Sequence, residues 1–330
     1  MKKFHPLLIA FLIGFSASAQ SIGEFTTGMS QKEGFFDYYY DDAVGRVFLV
    51  VDNLDEQFLY VNSLAAGVGS NDIGLDRGQL GDSRVVEFRK YGPKLLLVQP
   101  NLDYRAISDN KAEVASVKEA FAESVLGGFE IKVAEGDRFL IDITDFLLED
   151  SHNVAGVLSQ SNQGSYSLNS NKSVIYPDGL LNFPKNSEFE ALLTLTGTPK
   201  GGWIRSVTPT SSAVTVRTHH SFVELPDAHY TPREFDPRSG FFYISYQDYA
   251  TPIEESLVKR LIVRHRLEKK NPGAAMSEAV EPIVYYVDRG APEPVLSALI
   301  EGASWWNQAF EAAGYRDAFQ VKVLPDGAHP

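Results

Sequence analysis

The pattern of apolar and polar positions changes character several times along the chain, and each change predicts an element. Short apolar or β-branched runs at residues 47–51, 58–61, 85–88 and 94–98, separated by Gly, Asn, Asp and Pro, predict strands. Between the second and third of these lies a stretch, 67–78, too rich in glycine for a helix. From Lys111 onward, Val114, Val117, Phe121 and Val125 recur at helical spacing, with Asn110 and Glu113 suited to a reciprocal cap and Gly127 to the C-terminal stop. A hairpin is expected next, 129–133 and 139–143 around Glu135-Gly136-Asp137, followed by a helical turn at 144–149. Residues 159–200 are rich in Ser, Asn, Gly and Pro and hold one expected strand, 189–195. Two more strands are expected at 213–218 and 241–246, with Pro226, Pro232 and Pro237 marking a long ordered loop between them. Pro252 then opens an expected charged helix over 253–268.

The last part of the chain reads as strand, helix, strand. Residues 283–287 are apolar throughout, as for a strand covered on both faces. Leu296, Leu299, Ala303, Trp306, Phe310 and Ala313 form one apolar helix face, which Gly314 ends. Phe319, Val321 and Val323 alternate as a second strand. So small a unit cannot bury its own apolar surface, and the chain stops at Pro330, so a longer protein is expected. At the other end, Lys2 and Lys3, an apolar run over 7–15 and Ala17-Ser18-Ala19 form a secretory signal pattern with cleavage after Ala19. The expected organisation is a signal peptide at 1–19, a β-rich domain at 20–268, a linker at 269–282 and an incomplete second domain at 283–330.

Composition narrows the function classes. The 330 residues include no Cys, which excludes disulfides, a Cys-ligated metal and a cysteine nucleophile. Net charge is −13, and becomes −15 once residues 1–19 leave with their two lysines, which argues against nucleic acid as a partner. No run after the signal reaches membrane-spanning length, so a secreted or periplasmic product is expected.

Motifs for chemistry are sparse. The seven histidines, His5, His152, His219, His220, His229, His265 and His329, form no His-Glu-x-x-His and no i, i+4 pair. His219 and His220 adjoin an expected strand, so they point to opposite faces and cannot share one metal. Asp72, Asp76 and Asp82 in the glycine-rich stretch only weakly suggest a calcium loop. Asp142, Asp145, Glu149 and Asp150 form a local acidic group that reads better as a solvated turn than as paired catalytic carboxylates. The aromatic run from Phe35 to Tyr40 reads better as a strand with alternating buried rings than as a sugar platform. No residue can be assigned as catalytic, cofactor-binding or metal-ligating.

Several longer segments carry a resemblance. They are Gln57-Phe58-Leu59-Tyr60-Val61-Asn62-Ser63-Leu64, Gly67-Val68-Gly69-Ser70-Asn71-Asp72-Ile73-Gly74-Leu75-Asp76-Arg77-Gly78 and Val98-Gln99-Pro100-Asn101. To these are added Arg217-Thr218-His219-His220-Ser221-Phe222-Val223-Glu224-Leu225-Pro226, Pro282-Ile283-Val284-Tyr285-Tyr286-Val287-Asp288-Arg289-Gly290 and Glu301-Gly302-Ala303-Ser304-Trp305-Trp306-Asn307-Gln308-Ala309-Phe310. In this order they resemble the N-terminal region of a bacterial family of secreted zinc-dependent metalloproteases. The resemblance implies an α+β chain: a β-rich domain without assigned chemistry, then the truncated strand–helix–strand start of a metzincin-like α/β catalytic domain. It also implies zinc held by ligands beyond Pro330, a protein or peptide substrate, and a missing C-terminal catalytic region as partner, so this chain alone is expected to be inactive. The competing reading is an extracytoplasmic binding or adhesion module without catalysis.

Overall fold

The structure is a computed structural model that describes residues 20–326 and residue 328. The expected signal segment, His5 and His329 lie outside the described residues. By contacts the chain divides into two compact units. One runs up to Asn101 and resumes over Ala122–Pro226; the other holds Leu102–Phe121 and the chain from Asp227 onward. The stretch 269–282, read from sequence as a linker, lies inside the second unit.

The first unit contains β1 (Ser30–Lys32), β2 (Tyr38–Asp41), β3 (Arg46–Val51), β4 (Gln57–Ala66), β5 (Leu80–Tyr91) and β6 (Lys94–Gln99). After β7 (Tyr104–Arg105), which belongs to the second unit, follow β8 (Ser124–Glu135), β9 (Arg138–Asp142), β10 (Gly164–Leu168), β11 (Val174–Ile175), β12 (Leu181–Phe183), β13 (Asn186–Pro199) and β14 (Ala213–Glu224). Thirteen of these strands form one sheet in the order β1-β2-β3-β9-β8-β6-β5-β4-β14-β13-β10, with β11 and β12 also on β13. All of its ladders are antiparallel.

The sheet curls until its two ends meet. There side chains substitute for a strand ladder: Asn182 Nδ2 donates to the carbonyls of Lys32 (2.9 Å) and Phe36 (2.8 Å). Phe36 N donates to Ser187 Oγ at 3.0 Å, and Phe35 N to the Phe183 carbonyl at 2.8 Å. A barrel so nearly closed leaves few strand edges open to other chains.

Alternation along the strands fills the interior. Tyr38, Leu49, Phe58, Phe88, Leu97, Ile141, Phe189 and Phe222 belong to one buried cluster; Leu64, Leu75, Leu158, Leu193 and Val216 belong to a second. β3 is apolar on both faces for a local reason. Val47, Leu49 and Val51 face the barrel interior, while Phe48 and Val50 pack outside with Ile22 of α1 (Ile22–Phe25). That helix is fixed by a capping box between Ser21 and Glu24. The aromatic run 35–40 is structural, with Phe36 and Tyr38 in the core and Phe35 and Tyr40 packed against it.

In the second unit, α2 (Lys111–Ala120) precedes Phe121, whose ring stacks on Tyr104 at 3.9 Å. β15 (Tyr243–Asp248) pairs with β16 (Val258–Ile262) and with β7. β17 (Ser277–Glu278) pairs in parallel with β19 (Tyr315–Arg316), and β18 (Ile283–Val287) with β20 (Phe319–Val323). Among the described residues no helix is long and apolar enough to cross a membrane.

The α+β class with a metzincin-like α/β start is not what forms. The chain is β-rich and dominated by one antiparallel, barrel-like sheet. β18 and β20 do run parallel, but among the described residues they stand as a two-stranded ladder, so no α/β layer is built. The helical stretch between them is split at Trp305 into α6 (Val295–Ser304) and α7 (Trp306–Ala312).

Two local expectations also give way. The helix from Lys111 ends at Ala120, because Val125 and Gly127 are taken into β8, where they pair with Val98 and Leu97. Asn110 caps it through Ala112 N at 3.1 Å. The charged helix over 253–268 is instead a turn and strand β16, since pairing with β15 satisfies its backbone along a ladder.

Candidate functional site

Four of the resembling segments gather in the first unit, and three of them form one wall of the barrel. Gln57–Leu64 lies in β4, and the second half of β14 pairs with it antiparallel, His219 opposite Ser63 and His220 opposite Asn62. The glycine-rich stretch folds back onto the end of β4: Leu64 N donates to the Gln79 carbonyl (3.0 Å), Gly78 N to that of Leu64 (2.7 Å), and Val68 N to that of Leu75 (2.9 Å). Val68, Ile73 and Leu75 are its buried anchors. Backbone bonds and apolar anchors therefore shape this loop. Of the three aspartates weighed for calcium, Asp82 pairs with Arg84 at 2.6 Å.

The two adjacent histidines of β14 face opposite ways, as alternation requires. His219 looks outward over the β13–β14 ladder. Its Nε2 lies 2.7 Å from Glu188 Oε2 and its Nδ1 3.1 Å from Glu190 Oε1. Ser221 Oγ donates to Glu188, and Arg217 Nε stands 2.9 Å from Glu190 Oε2 with its guanidinium over the Tyr176 ring at 4.6 Å. Burial pulls the His219 pKa down, but hydrogen bonds to Glu188 and Glu190 outweigh it and raise the pKa to about 9. Burial likewise raises the Glu188 pKa, and bonds from His219, Ser221 and Asn186 more than reverse it, leaving it lowered. His219 is thus an imidazolium at neutral pH with both N–H groups committed, and has no lone pair for a metal or a proton.

His220 points into the barrel and is wholly buried. Its Nδ1 is 3.0 Å from the Tyr60 hydroxyl, and the two rings stack 6.0 Å apart. Burial first, and then the charge of His219, push its pKa down to about 3, against the Leu147 backbone. Burial raises the Tyr60 pKa to about 12. Neutral His220 and Tyr60 form a hydrogen-bonded pair between apolar surfaces. His220 Nε2 and Asn62 Oδ1 are both buried without a partner.

Of the acidic group of the sequence, the fold keeps Asp142, Asp145 and Glu149 at one recess and sets Asp150 apart. Asp142 pairs with Arg46 and accepts from Thr144 N at 3.0 Å, and Asp150 accepts from Val154 N and Ala155 N at the start of α4 (Val154–Gln160). Asp142, Asp145 and Glu149 line a polar recess of about 250 Å³ whose wall includes Arg46, Gly127, Gly128 and Lys132. Burial, then the charge of Asp145, raise the Glu149 pKa. In the second unit, Tyr285, Leu299, Trp306, Phe310 and Phe319 line an apolar groove of about 930 Å³ edged by Arg264 and His265.

Zinc does not fit the residues present. Among the described residues no three His, Asp or Glu side chains converge so as to hold a metal, and His219 is fully occupied by carboxylates. Sequence reading singled out the His219-His220 pair but missed Glu188 and Glu190. Their signal is period two: they flank Phe189 on the polar face of β13, and only the pairing with β14 reveals their partner.

Residues 78–270 match the family model described as Domain of unknown function (DUF5117). No curated protein and no solved structure matches the chain. The match covers more than half of the chain, including β14 and its two histidines, and the protein therefore belongs to the DUF5117 family.

Proposed function

We propose that the chain is a non-catalytic portion of a secreted zinc-dependent metallopeptidase, with the barrel packing against or presenting substrate to a catalytic region. In this reading the zinc ligands and the water-activating glutamate lie outside residues 1–330, and the substrate is a protein or peptide. The observation that carries it is the use made of the histidine motif. Within a segment resembling that protease family, His219 is spent on clamping β13 to β14 and His220 on the buried pair with Tyr60. A chain whose motif histidines are structural is suited to support chemistry performed elsewhere. The alternative of a glycan-binding module loses its strongest sequence feature, because Phe36 and Tyr38 are core residues.

The test is metal analysis and peptide hydrolysis on the purified 1–330 chain beside the native polypeptide that carries the barrel. Zinc and chelator-sensitive hydrolysis are expected in the native polypeptide alone. Stoichiometric zinc in the 1–330 chain would overturn the reading.

A further inference from the structure

The barrel interior is divided by a polar layer. Along β4 the inward residues run Phe58, Tyr60, Asn62, Leu64, and along β14 Phe222, His220, Thr218, Val216. Asn62, Thr218 and His220 are each at most 1% exposed and lie between the two apolar clusters. Residues 144–152 cover this layer. Phe146 and Leu147 enter the core, the Phe146 ring lies 6.0 Å from that of His220, and the Ser151 carbonyl accepts from Asn62 Nδ2.

We propose that residues 144–152 form an acid-released plug, which lifts when His220 takes up a proton and leaves the outer clamp of His219 closed.

The surroundings of His220 favour this. From β4 it meets Tyr60 and Asn62, and from the plug Phe146 and the Leu147 backbone. Its neighbour His219 is a cation. Of the plug's charged groups, Glu149 acts on Tyr60, with Asp145 beside it, and Asp150 is engaged by Val154 N and Ala155 N. Arg84 also acts on Tyr60, while His152 is held below its ordinary pKa by burial. Among the described residues, no carboxylate is thus set against His220 to stabilise its charged form.

The adjacent histidines oppose one another. His220 has a depressed folded pKa, so its contribution is full above the free value of 6.5 and is lost as pH falls toward about 3. His219 has a raised one, so its contribution is full below 6.5 and is lost as pH rises toward about 9. Between pH 7.5 and 5.0, freeing His220 alone becomes up to about thirtyfold easier, the full factor applying if the freed ring regains 6.5 beside the charged His219. Global unfolding frees both, and His219 cancels about tenfold of that gain.

Hydrogen exchange of the full chain at pH 7.5 and 5.0, corrected for intrinsic rates, tests the proposal. The expected result is a loss of protection of roughly ten- to thirtyfold in amides of 144–153, with urea stability changing by only a few-fold. His220→Gln should remove the His220 share of the acid response and leave only that of His152, which lies in the plug and is also held low by burial. The proposal is overturned if the wild type shows no such loss or if the variant keeps it in full. If the variant does not fold, NMR titration of the His220 ring in the wild type decides. Ring protonation that tracks loss of plug protection supports the proposal, and protonation with protection intact overturns it.

Discussion

Gly67→Ala is expected to destabilise the barrel by about 3 kcal/mol, read as a fall in urea midpoint with unchanged slope. A Cβ at this position would lie 2.2 Å from the Leu75 carbonyl oxygen, 2.8 Å from Asp76 C and 2.9 Å from Arg77 N. All three are backbone atoms of the returning arm of the loop, so no side chain can rotate away. Relief would require Leu75 to leave the core or the bond from Val68 N to break. Gly69→Ala is the control. Its φ is +95° but it faces open space, so only backbone strain applies, about 1 kcal/mol. Equal losses for the two variants would show that close approach is not what Gly67 provides.

The second large effect lies at the outer clamp. Glu190 is almost fully buried and serves both His219 Nδ1 and Arg217. Glu190→Ala takes the carboxylate from Arg217 and leaves His219 with Glu188 alone, and is expected to cost about 3 kcal/mol at pH 7. The same change should bring the His219 pKa down from about 9, since one of the two carboxylates that raise it is gone. In the wild type, the stability due to His219 is present below pH 6.5 and is lost as pH rises toward about 9. Urea unfolding at pH 6.5 and 9.5 should therefore show a fall in the wild type that is smaller in Glu190→Ala and absent in His219→Gln. A pH dependence unchanged by either substitution would contradict the clamp.

Where the chain obeys simple periodicity, the sequence was readable. The runs at 47–51, 58–61, 94–98 and 189–195 fall within β3, β4, β6 and β13, and the hairpin turns at Gly136, whose φ of +63° suits glycine. β10 and β12 are not legible because their Gly, Ser and Asn are poor strand formers, and β11 because Val174–Ile175 is too short a run to read; the long β13 ladder holds all three. The stretch 253–268 failed for the converse reason: its charges suit an exposed helix, and only the pairing of Tyr243 with Ile262 decides for a strand. At the candidate site, opposite facing of His219 and His220 follows from β geometry alone. Which of them is charged depends on Glu188, Glu190 and Tyr60, which lie far away in sequence.

The proposed function makes this barrel a non-catalytic part of a zinc peptidase. The most direct measurement isolates the native barrel-bearing polypeptide from the producing culture, cells and medium alike, with an antibody to the first unit. Zinc content and peptide hydrolysis are then measured with and without chelator. About one zinc per polypeptide and chelator-sensitive hydrolysis are expected. A native polypeptide that carries no zinc and cleaves no peptide would contradict the account.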